Sequence, residues 1–486
     1  MTLLTNTHLL RSSSYINGDW EPQHSQTLAV HNPANNSLLT EVSMADTAAC
    51  QRAIDAANHA QTSWQATPAK TRSQLLRKWL DLIVANRQDL AQLLTAEQGK
   101  PLAEALAEVD YGADFVEWFA EEAKRIYGDV LNLPERDRRG LVLRRPVGVV
   151  AAITPWNFPN AMITRKVAPA LAAGCSVILK PAESTPLSAL ALAELASRAG
   201  IPPGVFNVIV GDPIMIGETL TSSTKIQKLT FTGSTRVGKI LLRQCADTVK
   251  RTSMELGGNA PMIVFDDADL EVAVKATMAS KFRNSGQTCV CTNRLLVHAD
   301  IRDEFMAKLQ QQMAKITLGD GSKAGTTQGP LIDRQAAQGV AQKVEQAVQQ
   351  GARIVTGGKN DALGECYYPP TLLTDVTEKM AIFDQEIFGP VLPVITFTSE
   401  AEAIALANNT RYGLAAYFIT QDQSRIWRVA EALDYGMTAV NEGAISSEMM
   451  PFGGVKESGH GREGSKYGLD DYTELKYVCM GGIQSQ

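Results

Sequence analysis

The sequence predicts an α/β fold of two or three domains, of which two are built from alternating strands and helices. One observation is a series of short apolar segments separated by helical segments such as 186–199. The predicted strands of this first set cover residues 147–153, 175–179, 205–210, 226–232 and 252–256. Such alternation is typical of βαβ units around a buried parallel sheet. A second alternating set begins at residue 262 and continues to about residue 356, and 486 residues are too many for one hydrophobic core.

The segments outside these two sets are predicted in less detail. Before about residue 128 the chain is expected to form mostly amphipathic helices, because residues 71–86 carry apolar side chains at helical spacing. A charged stretch at 135–140 lies between two apolar runs and predicts a hairpin that projects from the body. The tail at 471–479 has the pattern of a strand, and one hypothesis is that it pairs with another subunit.

Composition excludes several classes of protein. The net charge is -6 and no basic run is present, which argues against a nucleic-acid surface. Seven cysteines are too few for a disulfide framework in so long a chain. The N-terminus lacks the apolar core of a signal peptide, and proline and asparagine interrupt the longest uncharged stretch, 147–164. We therefore expect a cytoplasmic protein that does not bind membranes.

Two residues predict covalent catalysis. Cys289 follows Gly286 and small polar residues, which should leave its thiol accessible, and Glu255 lies in an apolar, glycine-flanked segment. A thiol can attack an electron-poor carbonyl carbon and hold the acyl group as a thioester, and a carboxylate of raised pKa can activate the water that releases it. The six histidines are scattered outside any motif, which argues against a cysteine hydrolase and against a metal site.

Conspicuous residues follow four of the predicted strands. In open α/β sheets, ligands bind outside the carboxyl ends of the strands, and a helix N-terminus suits a pyrophosphate. Each turn alone would be an ordinary strand-to-helix connection, but four turns at one edge favour a dinucleotide site. The residues predicted to contact the cofactor around these strand ends are Ile153, Thr154, Pro155, Trp156, Lys180, Glu183, Gly211, Gly233, Ser234 and Leu256.

Two glycine motifs are misleading. Residues 233–239 spell most of a P-loop, but Ile240 stands where a magnesium-binding Ser or Thr is needed. Residues 459–464 match GxGxxG, yet no strand precedes them and the chain ends before a ribose-binding acid could follow. The second motif is therefore predicted to be a loop.

Six motifs occur in order along the chain: PWNFP at 155–159, FTGS at 231–234, MELGGNAP at 254–261, GQTC at 286–289, EIFGP at 386–390 and PFGG at 451–454. With these motifs the chain resembles the aldehyde dehydrogenase superfamily over nearly its whole length. The resemblance implies a homodimer or homotetramer of three-part subunits. Those parts would be a Rossmann-type cofactor domain (1–128 and 147–255), a catalytic domain (256–455), and a small β oligomerisation arm and tail (129–146 and 456–486).

The resemblance also implies the roles of the catalytic residues. Cys289 would be the nucleophile and Glu255 the base for the deacylating water. The Asn157 side-chain amide and the Cys289 backbone N–H would form the oxyanion hole, where charge develops as sulfur attacks the aldehyde. One alternative function is a CoA-acylating aldehyde dehydrogenase, but an enzyme that transfers the acyl group to coenzyme A has little use for the base Glu255. Another is a catalytically silent binding protein, which would not need Cys289, Glu255 and Asn157 together.

The cofactor positions carry over in the same way. Glu386 and Phe388 match positions that hold the nicotinamide-side ribose and the ring, and Lys180 and Glu183 match positions that contact the adenosine ribose. A carboxylate at Glu183 would accept hydrogen bonds from a 2′-hydroxyl and repel a 2′-phosphate. NAD is therefore expected to be preferred, with NADP as the alternative.

The aldehyde is predicted from two arginines. Arg165 and Arg283 lie close in sequence to catalytic motifs, and with Ser446 they match the residues that grip the substrate carboxylate in succinate-semialdehyde dehydrogenases. An ordinary salt bridge is the alternative for either arginine. This points to a semialdehyde substrate, succinate semialdehyde first and glutarate semialdehyde second.

Cys291, two residues after the nucleophile, is either a redox partner that forms a disulfide with Cys289 or a small packed residue.

Overall fold

The alternation of strands and helices is present in a computed structural model, which describes residues 4–23, 25–359 and 362–483. Its strands are β1 (Tyr15–Ile16), β2 (Asp19–Trp20), β3 (Thr27–His31), β4 (Leu38–Ser43), β5 (Asp129–Leu131), β6 (Arg139–Pro146), β7 (Val150–Ile153), β8 (Val177–Lys180), β9 (Phe206–Val208), β10 (Lys228–Thr232), β11 (Arg251–Glu255), β12 (Ala260–Val264), β13 (Thr292–His298), β14 (Arg353–Thr356), β15 (Thr371–Thr374), β16 (Val391–Phe397), β17 (Ala415–Ile419), β18 (Met437–Val440), β19 (Gly459–His460) and β20 (Thr473–Met480). Its α-helices are α1 (Thr47–Ala66), α2 (Ala69–Ala85), α3 (Arg87–Gln98), α4 (Leu102–Glu122), α5 (Ala161–Ala173), α6 (Leu187–Arg198), α7 (Pro213–Ser222), α8 (Thr235–Ala246), α9 (Leu270–Phe282), α10 (Arg302–Met313), α11 (Arg334–Gln349), α12 (Ala381–Asp384), α13 (Glu400–Asn408) and α14 (Gln423–Ala432).

An eight-stranded sheet is formed in the order β19-β11-β10-β7-β8-β9-β1-β2. Its five central strands are parallel and buried, which confirms the first predicted set. The first of them starts at Val150 rather than at residue 147. Pro146 ends β6, and Gly148 adopts a φ of 120° that breaks the extended backbone between the two strands.

A seven-stranded sheet contains the second predicted set, in the order β14-β15-β16-β13-β12-β17-β18. Its neighbouring strands are parallel except for β14, which pairs antiparallel with β15 at the edge. The chain passes from the first sheet to this one between β11, which ends at Glu255, and β12, which begins at Ala260. The division into domains stays a prediction, but this crossing lies beside the predicted boundary at 255.

The charged hairpin and the tail meet in a three-stranded sheet of order β20-β6-β5. β20 pairs antiparallel with β6 along its full length, from Thr473 opposite Pro146 to Met480 opposite Arg139. The tail is therefore a strand, as predicted, and its partner on one side belongs to the same chain. Its other edge carries no strand within the described residues.

Four short strands near the N-terminus, β1 to β4, were not predicted. β1 and β2 have only two residues each and β3 is mostly exposed, so none shows a clear alternation of apolar and polar residues. β1 nevertheless extends the large sheet by pairing with β9. In the parts of the chain that the structure describes, no helix combines the length and apolar character needed to cross a bilayer.

Helix α5 is buried along its whole length and brings polar side chains into the interior. It follows the PWNFP motif and ends at Gly174, whose φ of 95° gives the left-handed conformation that glycine adopts without strain. Its apolar residues pack into the core between the helices and the large sheet, whereas Arg165 and Lys166 are equally buried and need partners there. These partners lie in the candidate site.

Candidate active site

A cavity of about 330 Å³ lies at the carboxyl ends of β7, β10 and β11, where the loop before β13 crosses them. It brings together residues that are far apart in the sequence. The wall of the cavity includes the residues predicted for catalysis, for the substrate and for the nicotinamide side of the cofactor. They are Pro155, Trp156, Asn157, Arg165, Gly233, Ser234, Glu255, Leu256, Arg283, Cys289, Glu386, Phe388 and Ser446.

Cys289 is half-buried in the wall of this cavity, just after a distorted 3₁₀ turn, Arg283–Gly286. Asn284 and Ser285 in this turn have φ values of 51° and 56°, which hold the backbone in a tight left-handed path. A β-carbon at Gly258 would lie 2.1 Å from the Cys289 carbonyl oxygen, so only glycine permits this approach. Burial raises the pKa of the Cys289 thiol to about 12, with the charge of Glu386 as the next contribution.

The Asn157 side chain is fixed beside the nucleophile loop. Its Nδ2 donates to the Gln287 carbonyl oxygen at 2.8 Å, and Asn284 Nδ2 donates back to the Asn157 carbonyl oxygen at 2.8 Å. The second N–H of the Asn157 amide therefore remains for a ligand. The backbone N–H of Cys289 has no acceptor among the described residues. Both predicted oxyanion donors are thus available at the cavity.

Glu255 ends β11 and is only 3% exposed. Neither of its carboxylate oxygens has a hydrogen-bond partner among the described residues. Burial raises the pKa of Glu255 well above its ordinary value, and the negative charge of Glu463 raises it further. The positive charges of Lys166 and Arg165 oppose this change. A carboxyl of raised pKa without protein partners is suited to accept and release protons.

Glu463, whose charge raises the pKa of Glu255, was missed by the sequence analysis. It lies in the glycine-rich stretch 459–464, which was predicted to be only a loop. Arg165 Nε lies 2.6 Å from Glu463 Oε2, and Lys166 Nζ forms an ion pair with Glu463 Oε1. Burial would raise the pKa of Glu463, but Lys166 and Arg165 outweigh it and lower the pKa. No pattern in the sequence linked residue 463 to residues 165 and 166.

The substrate end of the cavity contains both predicted arginines. The Arg165 guanidinium lies 4.1 Å from the centre of the Phe452 ring, and that of Arg283 lies 5.4 Å from the centre of the Phe158 ring. Arg165 is already paired with Glu463, whereas Arg283 forms no ion pair among the described residues. Ser446 lies at this end beside Tyr111.

The cofactor residues divide into two groups. On the nicotinamide side, Trp156 and Phe388 pack edge to face with ring centres 5.5 Å apart, and Glu386 accepts the Gly258 N–H at 3.0 Å. Burial raises the pKa of Glu386 to about 7. Those that do not line the cavity are Ile153, Thr154, Lys180, Glu183 and Gly211. Ile153 and Thr154 lie at the end of β7, Lys180 forms an ion pair with Glu183 at the end of β8, and Gly211 packs against the Ala45 backbone.

This edge of the sheet fits a dinucleotide. The buried Thr154 hydroxyl has no hydrogen-bond partner among the described residues, so a donor or acceptor site there is unused. Ser234 caps α8 by accepting the Val237 N–H at 3.4 Å, and the first turn of α8 presents the positive end of its dipole. Thr154, Ser234 and Glu386 are therefore polar groups at this edge that would suit a dinucleotide.

Cys291 is buried, and its thiol donates to the Gly286 carbonyl oxygen at 3.3 Å. The ammonium group of Lys281, itself fully buried, lies 3.8 Å from the Cys291 sulfur. All seven cysteines are free. Within the described residues no cluster of three His, Cys, Asp or Glu side chains is arranged to hold a metal ion.

Residues 20–478 match the model of the aldehyde dehydrogenase family. A glutarate-semialdehyde dehydrogenase of Pseudomonas aeruginosa is 53% identical over 99% of this chain and 100% of its own length. A 3-sulfolactaldehyde dehydrogenase of Pseudomonas putida is 54% identical, also over 99% of this chain and 100% of its own.

A third relative carries a cofactor in its name. It is an NADP succinate-semialdehyde dehydrogenase of Escherichia coli, 53% identical over 98% of this chain and 99% of its own length. The three relatives are similar to this chain to nearly the same degree, although their names give different substrates. The chain belongs to the aldehyde dehydrogenase family, whose members oxidise aldehydes with NAD or NADP.

Proposed function

We propose that this protein oxidises a short aldehyde with a terminal carboxylate, succinate semialdehyde first, to the corresponding diacid. The observation that carries the proposal is Arg283, an arginine without an ion pair in the wall of the cavity that also contains Cys289 and Glu255. A guanidinium group can bind both oxygens of a carboxylate, which would leave the aldehyde end of the substrate free to meet the thiol.

The first chemical step is attack by sulfur on the aldehyde carbon. Because burial raises the pKa of Cys289 to about 12, the thiol proton must be removed as the C–S bond forms. Glu255, when ionised, is the acceptor for that proton, since its oxygens have no other partner. The aldehyde oxygen becomes an oxyanion, which the Asn157 amide and the Cys289 N–H stabilise.

A nicotinamide cofactor held by Trp156, Glu386 and Phe388 would supply the acceptor for the hydride that leaves the carbon bound to sulfur. Collapse of the oxyanion then leaves an acyl group bound to Cys289 as a thioester. Glu255 then releases the thiol proton to solvent and, ionised again, takes a proton from a water molecule, whose oxygen attacks the thioester carbon. The C–S bond breaks, the carboxylic acid leaves, and the Cys289 thiolate takes the proton that Glu255 now holds.

NAD is the proposed cofactor in preference to NADP. The support is Glu183, whose carboxylate lies at the end of β8 where the adenosine ribose is expected. Its charge would repel a 2′-phosphate, and its ion pair with Lys180 compensates the positive charge of that side chain. The Escherichia coli relative that carries NADP in its name makes a direct measurement of this preference necessary.

Two other substrates have support from the comparisons. Glutarate semialdehyde carries the same carboxylate one methylene further from the aldehyde, and 3-sulfolactaldehyde carries a sulfonate, which Arg283 could bind in the same way.

A transfer of the acyl group to coenzyme A is less favoured, because Glu255 supplies a base for water. The buried, unpartnered state of Glu255 also argues against a silent binding protein, since such a group contributes no stability.

We also propose that the protein is a homodimer or homotetramer joined through the arm. The three-stranded sheet exposes apolar side chains: Val130 is 74% exposed, Leu475 66% and Tyr477 59%. Such residues mark a protein interface when they are clustered. The free edge of β20 gives a second subunit a row of backbone groups to pair with.

The proposed function is tested by steady-state kinetics on unbranched semialdehydes of three to six carbons, butanal and 3-sulfolactaldehyde, each with NAD and with NADP. The highest kcat/KM should occur with succinate semialdehyde and NAD, and Cys289→Ser should abolish oxidation of every substrate. A higher kcat/KM with butanal than with any anionic aldehyde would contradict the proposal. Full turnover by the serine variant would remove the covalent mechanism.

A further inference from the structure

Tyr111, on α4, contributes its side chain to the wall of the active-site cavity. Its hydroxyl oxygen is buried, and no described group forms a hydrogen bond of normal geometry with it. A buried hydroxyl without a partner is unfavourable, because it loses its bonds to water and gains none in return. The sequence analysis did not single out this residue, because a tyrosine on a helix is usually a packing residue.

The surroundings of the hydroxyl are those of an anion site. Burial raises the pKa of Tyr111, the nearby charges of Arg165 and Arg283 and the Ser446 hydroxyl oppose the change, and the charge of Glu463, which Arg165 and Lys166 compensate, makes a smaller contribution that raises the pKa. The phenol therefore keeps its proton and remains a hydrogen-bond donor at neutral pH. Arg165, Arg283 and Ser446 are also the residues assigned to the distal end of the substrate. Tyr111 thus lies among them with an unused donor.

The ring of Tyr111 is held in place by its neighbours. It packs edge to face against Phe115, one turn further along α4, with ring centres 5.0 Å apart. Phe115 in turn lies 5.4 Å from the Arg165 guanidinium. Because the ring is fixed on one side, the hydroxyl is directed without the loss of side-chain freedom that a mobile donor would incur on binding.

Four acidic residues also line the cavity: Glu104, Glu108, Glu255 and Glu386. Glu108 accepts from Lys100 Nζ at 2.5 Å, and Glu104 accepts the Asn284 N–H at 2.9 Å. None of the four forms a hydrogen bond with the Tyr111 hydroxyl. A hydrogen-bond acceptor for the Tyr111 hydroxyl must therefore come from a molecule bound in the cavity.

We propose that Tyr111 is a specificity-determining residue that donates a hydrogen bond to the terminal anion of the substrate, beside Arg283 and Ser446. This inference rests on the proposed oxidation of an anionic aldehyde and deepens it. A carboxylate has about four lone-pair sites, so it can accept from an arginine fork and from two hydroxyl groups at once.

The test compares Tyr111→Phe, which removes only the hydroxyl, with the wild-type enzyme on succinate semialdehyde and on butanal. The two substrates have the same number of carbons and differ in the terminal charge. A hydrogen bond to a charged group accounts for roughly 10- to 100-fold in affinity, so kcat/KM for succinate semialdehyde should fall by about that factor. The loss should lie mainly in KM, and butanal should be unaffected.

Tyr368→Phe is the matched control. The Tyr368 hydroxyl is likewise buried without a hydrogen-bond partner, but it does not line the cavity. Its removal should leave the ratio of the two kcat/KM values unchanged. Tyr111→His, which restores a ring with an N–H donor, should recover part of the selectivity. If circular dichroism shows that Tyr111→Phe is not folded, the ratio of the two kcat/KM values for Tyr111→His decides whether a donor at this position sets the selectivity.

The outcomes separate the two proposals. A wild-type enzyme that prefers succinate semialdehyde, with a Tyr111→Phe variant of equal preference, would overturn the role of Tyr111 and leave the proposed function standing. Equal losses on both substrates would also overturn it, since they would indicate a structural role. A wild-type enzyme without preference for the anionic aldehyde would overturn both.

Discussion

Arg165 Nε lies 2.6 Å from Glu463 Oε2 in the wall of the active-site cavity. The arginine that resemblance to the family assigns to the substrate is therefore also the counter-ion of a buried glutamate. Arg283, the second arginine with that assignment, has no such partner among the described residues. The two residues should consequently behave differently when they are replaced, and Glu463 should influence the chemistry through Glu255.

Replacement of Glu463 should shift the pH dependence of turnover. Burial raises the pKa of Glu255, the negative charge of Glu463 raises it further, and Lys166 and Arg165 lower it. Glu463→Gln removes only the contribution of Glu463, so the pKa of Glu255 should fall. Because Glu255 acts as a base, the acid limb of the kcat profile should move to lower pH.

The same variant should be less stable. It leaves two buried cations without their anion, and breaking a buried ion pair in this way costs about 3–5 kcal/mol. Glu365→Gln, at an exposed ion pair with Arg334, is the control and should change neither property. A shift of the acid limb to higher pH would contradict the assignment of Glu463 as a charge that raises the pKa of Glu255.

Replacement of Arg283 and replacement of Arg165 should have different effects on charged and uncharged substrates. Arg283→Ala should raise KM for succinate semialdehyde by roughly 10- to 100-fold, the usual range for a hydrogen bond to a charged group, with little effect on butanal. Arg165→Ala should impair both substrates and lower the melting temperature, because Glu463 then keeps only Lys166 as a partner. Equal losses on both substrates for Arg283→Ala would remove the proposed carboxylate anchor.

Glu183 should control the choice between cofactors. Glu183→Ser removes the carboxylate and frees Lys180, which can then approach a 2′-phosphate. The ratio of kcat/KM with NADP to that with NAD should rise by about 10-fold or more, since a full charge is removed near another charge at the surface. A wild-type enzyme that already favours NADP strongly would refute the NAD preference.

Oxidation tests the role of Cys291. Peroxide could take two electrons and two protons from the thiols of Cys289 and Cys291 to form a disulfide and two water molecules, which would inactivate the enzyme until a thiol reductant is added. We predict that Cys291→Ala is not reversibly inactivated in this way. Reversible inactivation that persists in the variant would reject the switch and leave Cys291 as a packed residue.

Parts of the fold were accessible from the sequence because local patterns encode them. The five central strands of the large sheet were found from short apolar segments between helices, and their ends were correct to within three residues. β1 to β4 were missed, since β1 and β2 have only two residues each and β3 and β4 do not alternate regularly between buried and exposed residues. β20 was recognised as a strand, but its pairing with β6 depends on where the arm folds.

The same division applies to the site. Cys289, Glu255 and Asn157 stand in long contiguous motifs, so the residues themselves identify the chemistry. Glu463 and Tyr111 stand in no such motif. Their importance arises because Glu463 meets Arg165 and Lys166 across about 300 residues, and because the Tyr111 hydroxyl is left without a partner in the cavity.

By itself, the order of residues determined the family and the alternation of secondary structure, and it predicted the reacting groups, because each of these depends on residues that are neighbours in the sequence. Only the tertiary structure decided which charges compensate one another and which donors remain free. Ion pairing and desolvation depend on distances through space, and here those distances are set by how α4, α5 and the loop that carries Glu463 pack around the end of the large sheet.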